Sequence, residues 1–514
     1  MKSTAKTVGI VMIIMLISRL LAFVSVIAYT TFYREDFNIN IYSYAIQFPN
    51  IVFTFFGTAL TTVVIPIFAS NFESGNKKKA YKFADNVISL ATTFTMLLVA
   101  IGVLLAPVLP LMTKYRENGY DFAVTALRIM FPVMIFYALN YIFQGILQSL
   151  GKFNMPAFVS IPSSAIIILY IFLLGERFGV KGLLIATFIG LSTQAFILIP
   201  PILKTDYRYR PSFNYRDEDI KKAVKLMIPV MIGTSAYPLN LFFNVTVAAN
   251  LGSGDMVNII SFSQNLVSYA ILVFVYSVTA VVFPKFSAIA ARGDMVEFKD
   301  SVVKTLTSIF YFLMPATAGF ILVKKELLNF IMGWKFSAED VDLASMLVAF
   351  YAIGIVGMGI KEVIDRAFYS LKDTKRPAVI GVIVMVVNVG ASLLLLQIMG
   401  AYGIPLGNSI STLTGALVLA ILLRRKIGAF GGKKLLRVVL KIAVSCIIMS
   451  AIVLPVSFLL KSYTSGIAVV DRTIQLIIPA GLGALVYFAS TYVLKVDEAV
   501  DVFEKAKIRL GFKR

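Results

Sequence analysis

Apolar runs of membrane-crossing length recur along almost the entire chain, from Thr7–Phe32 to a last run ending near residue 494, and no set of soluble domains accommodates them. About 20 apolar residues carry a helix across a bilayer. Within hydrocarbon, each backbone N–H and C=O must find its partner inside the segment, so runs of this length are helices. The 514 residues are 59% hydrophobic and 15% charged, with a mean hydropathy of +0.86, outside the range of soluble domains. The expected fold is an all-α polytopic membrane protein of about fourteen transmembrane helices. Spans are placed near 7–32, 40–70, 80–112, 121–149, 155–175, 181–203, 220–250, 256–290, 297–323, 339–371, 375–399, 402–424, 436–460 and 473–494. The first lacks a small-residue cleavage site and is read as an uncleaved span.

Several chemistries are excluded. One cysteine, Cys446, and no histidine rule out a disulfide framework, Cys/His metal sites, haem ligation and a histidine proton relay. No Gly-x-x-x-x-Gly-Lys-Ser/Thr run is present, which argues against direct use of ATP. The formal charge of +21 does not point to nucleic acid, because the basic residues cluster in short loops between apolar runs. Those clusters, Lys77–Lys79, Lys204 to Lys225, Lys372 to Arg376 and Arg424 to Arg437, alternate with poorer loops and place both termini in the cytoplasm. Trp334 and the Lys324–Lys335 loop are then outside. In the tail from Asp497, Ala499, Val502, Phe503, Ala506 and Leu510 have the spacing of a short surface helix.

The chain repeats. Pro66 and Gly75 recur as Pro284 and Gly293 at an offset of 218 residues. Ser149-Leu150, Pro156-Ala157, Gly179 and Gly182 recur as Ser370-Leu371, Pro377-Ala378, Gly400 and Gly403 at an offset of 221. The repeat predicts two six-helix lobes in the same orientation around a central cavity, able to rock for alternating access, with two C-terminal helices outside the repeat. The expected divisions are an N-terminal lobe over 1–203, a basic linker over 204–219, a second lobe over 220–426, a two-helix hairpin over 427–495 and a cytoplasmic tail over 496–514.

Ser18-Arg19-Leu20-Leu21, Phe48-Pro49-Asn50, Val64-Ile65-Pro66 and the run Phe368-Tyr369-Ser370-Leu371-Lys372-Asp373-Thr374-Lys375-Arg376-Pro377 together resemble the MurJ/MviN lipid II flippases over essentially the whole chain. The resemblance implies the multidrug/oligosaccharidyl-lipid/polysaccharide exporter fold and movement of an undecaprenyl-pyrophosphate-linked sugar between leaflets of the bacterial cytoplasmic membrane. It also implies cavity arginines, of which only Arg19 is kept. Ser25, Phe53 and Gln264 occupy the other positions, and Thr58 replaces a glutamate. Some relatives carry a sodium site. Its positions here offer Asn240 or Asn244, Asn388, Ser392 and Asn408, which are neutral oxygens.

Arg19 sits within an apolar span, where a charge costs roughly 2.5–3.5 kcal/mol and faces a cavity or a partner. It is a candidate phosphate contact, with hydrogen bonding to helix carbonyls as the alternative. Gln47 and Asn50 share a helix face beside Pro49, Asn140, Gln144 and Gln148 recur at spacing four, and Gln264-Asn265 lie mid-span. These amides either join helices or contact substrate. Lys361, Glu362, Asp365 and Arg366 form two i,i+4 pairs that either neutralise one another or act as a gate or headgroup contact.

The leading expectation is a lipid II flippase and not an enzyme, bound to no cofactor and driven by sodium or membrane potential. Its partners are a lipid-linked sugar pyrophosphate and membrane lipids, with cell-wall synthesis proteins as further candidates. A flippase for a teichoic-acid or exopolysaccharide precursor and a non-transporting envelope scaffold are the competing readings.

Overall fold

The computed structural model describes residues 2–34, 36–152, 154–234, 236–251, 256–333, 336–462, 465–500 and 504. Trp334, Lys335, Val502, Phe503 and the tail from 505 lie outside these residues, and the side chains of Thr58, Pro66 and Pro284 lie outside what is described.

Among the described residues every regular element is helical. Eight helical stretches among the described residues are long and apolar enough to cross a membrane. Two of them, Asn154–Leu203 and Lys375–Ile427, contain 50 and 53 residues, well beyond one crossing. Each is interrupted by a glycine with positive φ, Gly179 at 57° and Gly400 at 60°, where the chain turns back on itself. Three further helices, Lys2–Phe32, Asn38–Glu73 and Met256–Arg292, contain 31, 36 and 37 residues.

The repeat is visible in the backbone. Gly75 at φ 82° corresponds to Gly293 at 75°, and Gly179 to Gly400. The helices Val133–Ser149 and Ile355–Ser370 are each followed, two residues on, by a left-handed residue, which is Gly151 at φ 73° in one and Lys372 at 59° in the other. A residue with a Cβ is strained in that region and glycine is not.

The chain divides into two compact units, 1–262 and 263–514. In the first, the fold-back at Gly179 brings Gly190 against Ser163, where an added Cβ would meet the Ser163 carbonyl oxygen at 3.0 Å. Tyr42 bonds Thr187 at 2.8 Å, tying the Asn38–Glu73 helix to the same hairpin. In the second, the hairpin Gly432–Lys461 and Ala468–Val493 packs on Met295–Leu322 through Tyr311, Ile442, Met449, Val453 and Tyr487. The Tyr487 hydroxyl donates to the Tyr311 carbonyl at 2.6 Å.

Candidate substrate-binding site

The Lys2–Phe32 helix is apolar over most of its length, and Arg19 interrupts it. Ser18 fixes this turn by donating to the Ala157 carbonyl at 3.0 Å, so the Ser18-Arg19 and Pro156-Ala157 motifs touch. Arg19 itself is exposed and makes no hydrogen bond or ion pair among the described residues. Its guanidinium lies within electrostatic reach of Tyr141. Tyr141 belongs to an aromatic wall, with ring centroids 5.6 Å from Phe53, which also stands 5.8 Å from Tyr137 and 5.8 Å from Phe56. Phe53 is 1% exposed. Ser25 is buried and donates to the Ala22 carbonyl at 2.7 Å. Neither residue can offer positive charge to an anion.

The polar candidates divide into those already committed to neighbours and those with free capacity. Gln47 donates to Ser261 at 3.1 Å. Asn50 is exposed and accepts from Thr54. Gln144 donates to Asn140 at 2.9 Å, Asn140 to Gln194 at 3.3 Å, and Gln194 to Ser163 at 3.0 Å, a chain of amides that joins three segments of the first unit. Gln264 and Asn265 are half-buried in the second unit and carry no described hydrogen bond.

Both charged pairs expected on the Ile355–Ser370 helix form. Lys361 donates to Asp365 at 2.6 Å, and Arg366 bonds Glu362. Arg366 also lies over the rings of Phe283 and Tyr369, at 5.7 and 5.9 Å. The second oxygen of Asp365, Oδ1, is buried with no partner.

Of the expected ion-site residues, Asn244 donates to Asn240 at 3.0 Å and keeps a buried, unpartnered Oδ1. Asn388 is 0% exposed, and both its amide atoms lack partners, as does the Ser392 hydroxyl one turn on. Gly407 packs directly on Ser392, which sets Asn408 on the facing helix. The main-chain oxygen of Asn408 accepts from Ser411 and Thr412. No group of three or more His, Cys, Asp or Glu side chains able to hold a metal occurs among the described residues.

Sequence reasoning missed two features. Asn258 donates its amide to Asn40 across 218 residues, and Asp85, Asn86 and Ser89 grip the linker between the repeats. The repeat offset was the available signal for the first.

A family model described as "Lipid II flippase MurJ" matches residues 35–471. The probable lipid II flippase MurJ of Bdellovibrio bacteriovorus is 24% identical over 468 residues, 88% of this chain and 88% of that protein. The lipid II flippase MurJ of Burkholderia cenocepacia is 24% identical over 316 residues, 60% of this chain and 61% of that one. Among solved structures, a lipid II flippase MurJ in an inward closed conformation gives a TM-score of 0.79 at 22% identity, covering 94% of this chain and 98% of that chain. An inward-facing multidrug resistance transporter of the MATE family gives 0.67 at 15% identity, covering 81% and 95%. The helical fold expected from the sequence is the one these two transporters share.

Proposed function

The chain belongs to the lipid II flippase MurJ family, whose model matches residues 35–471, and on that premise we propose that it moves lipid II from the inner to the outer leaflet of the bacterial cytoplasmic membrane. The match over most of the chain carries this reading. Flipping makes and breaks no covalent bond. The protein needs two states of different accessibility, and only a difference in cargo affinity between them does work on the equilibrium.

Arg19 is the residue that takes the pyrophosphate in this reading. Its planar fork suits phosphate oxygens, and its exposure without a described partner supports that role. Asn50 supplies a neutral contact to the headgroup, whereas Gln47, Gln144 and the Lys361–Arg366 cluster are occupied by partners of their own. The buried, unpartnered oxygens of Asn388 and Ser392 fit a monovalent cation such as sodium, because hard cations take oxygen ligands. Neutral ligands hold it weakly, leaving membrane potential as a second drive. Both termini face the cytoplasm in this reading, in keeping with the loop charge bias.

Phe53 favours a second reading. It is buried in the aromatic wall at a position where the family resemblance implies an arginine, and the missing charge suits a related lipid-linked oligosaccharide, such as a teichoic-acid or exopolysaccharide precursor. Complementation of a strain depleted of its only lipid II flippase, read with lipid II accessibility on the outer face, separates the two. Rescue with outward-exposed lipid II is expected. A well-expressed protein that fails here but restores export of another lipid-linked sugar overturns the first reading in favour of the second.

A further inference from the structure

Between the helix that ends at Leu203 and the helix that begins at Glu218, residues 204–217 form no regular helix. Three side chains of the Lys77–Leu105 helix strap this segment down. The Asp85 carboxylate accepts from the Tyr207 hydroxyl at 2.7 Å and from the Arg210 backbone N–H at 3.0 Å. The Asn86 carbonyl accepts from the Ser212 hydroxyl and from the Asn214 N–H at 3.1 Å. The Ser89 hydroxyl accepts from the Ser212 N–H at 3.0 Å and lies 2.9 Å from the Tyr209 hydroxyl. Burial raises the pKa of the Tyr207 phenol, and its bond to the Asp85 carboxylate raises it further, so the phenol stays a donor.

Fixing the inner edge of the strap turns its other residues outward. Phe213 and Tyr215 are 59% and 66% exposed, and Tyr209 is 46% exposed although its hydroxyl meets Ser89; they are interleaved with exposed Arg210 and Arg216, and with Arg208, which donates to the Leu203, Thr205 and Tyr207 carbonyls. The strap's height along the Lys77–Leu105 helix follows from which residues of that helix are exposed. Its exposed large apolar side chains begin at Phe94 and continue through Met96, Leu97, Ile101, Leu104 and Leu105, as expected of a surface facing hydrocarbon. At a rise of 1.5 Å per residue, Ser89 precedes Phe94 by about 7.5 Å and Asp85 precedes it by about 13.5 Å. The headgroup region adds roughly 5–7 Å to each side of the hydrocarbon. The Ser89 end of the strap therefore lies at the outer edge of the headgroup layer, which its long side chains can reach, and the Asp85 end stands further out.

We propose that this strap binds anionic phospholipid headgroups. Arginine forks match phosphate oxygens, basic residues beside a membrane are drawn to anionic lipid, and aromatic rings with a polar edge settle at the interface. A loop facing water has no use for Phe213 at this exposure, and the strap's fixed conformation means that lipid meets a surface already formed.

The test uses the full-length protein with Trp334→Phe and Phe213→Trp, reconstituted in phosphatidylcholine bilayers with or without phosphatidylglycerol. Tyr215→Trp in place of Phe213→Trp gives a second reporter. The expected result is blue-shifted emission, quenched more by brominated phosphatidylglycerol than by brominated phosphatidylcholine at equal mole fraction. Arg210→Gln with Arg216→Gln should reduce that preference about fivefold per charge removed, and raised salt should reduce it too. Emission characteristic of water overturns the proposal and points to a soluble protein partner for the strip. Equal quenching by the two lipids, unaffected by the arginine substitutions, overturns it as well.

Discussion

Asn258 donates its side-chain amide to the Oδ1 of Asn40, and the two residues are 218 positions apart, the offset that also relates Pro66 to Pro284. Equivalent positions of the two repeats thus meet near the starts of the helices Asn38–Glu73 and Met256–Arg292. If transport separates the repeats there, fixing this contact should stop it. In a Cys446→Ser background, Asn40→Cys with Asn258→Cys is expected to form a disulfide that blocks flipping, and reductant should restore it. Unchanged flipping by fully cross-linked protein would show that this contact never opens.

Arg19→Ala should abolish transport at unchanged protein level, because in the proposed function Arg19 is the residue that takes the pyrophosphate. Arg19→Lys should recover part of the activity, since charge returns without the fork. The measurement is outer-leaflet lipid II accessibility alongside membrane-fraction immunoblotting. Full activity from a well-expressed Arg19→Ala protein removes Arg19 from the site.

Lys372 holds a left-handed conformation at φ 59° where the first repeat has Gly151 at 73°. Lys372→Gly should relieve that strain and stabilise the protein by about 1 kcal/mol, seen as a higher midpoint in thermal unfolding in detergent. A lower midpoint would mean that contacts of the lysine outweigh the strain.

Asp373 accepts from Lys426 at 2.6 Å and from the Arg376 guanidinium at 2.9 Å. Burial alone would raise its carboxyl, but hydrogen bonds and charge from Lys426 and Arg376 prevail and hold it below the usual value. A depressed acid stabilises the fold above its unfolded pKa, near about 3.9, and that contribution is lost as pH falls through the folded value. Wild type should exceed Asp373→Asn by roughly 1 kcal/mol at neutral pH, and the gap should close as pH falls through the folded-state value. A gap independent of pH would rule out the carboxylate as its source.

Single cysteines at Ser74 and Ser337, both exposed, should label from opposite faces of the membrane once Cys446 is replaced by serine. Labelling of both by a membrane-impermeant maleimide added outside would discard the assigned topology.

Positions where the backbone dictates residue type were legible in the sequence. Left-handed turns favour glycine, so Gly75 and Gly293 or Gly179 and Gly400 announce the repeat without any knowledge of the fold. The i,i+4 pairs of the Ile355–Ser370 helix were legible for a similar reason, since helical spacing alone makes Lys361 and Asp365 neighbours. Contacts between distant segments left no local trace. Asp85 meets Tyr207 across 122 residues, and nothing around either reveals the other. Asn140 and Gln144 could be placed on one face, but only the fold shows Gln194 opposite them. The aromatic wall around Phe53 was likewise invisible, because a phenylalanine in an apolar span looks the same whether it faces lipid or two tyrosines.

In the second unit, glycines bring helices together backbone against backbone. An added Cβ at Gly357 would stand 2.9 Å from the Leu413 nitrogen, one at Gly407 would stand 2.7 Å from the Ser392 nitrogen, and Gly403 abuts Leu395 and Leu396. Surfaces that touch without an intervening layer of side chains have no rotamers to exchange and nothing to slide across. The helices Ile355–Ser370, Lys375–Met399 and Gly403–Ile427 are in effect welded into one slab, which leaves swinging as a body, and not internal shear, as the way this part of the molecule can move during a cycle.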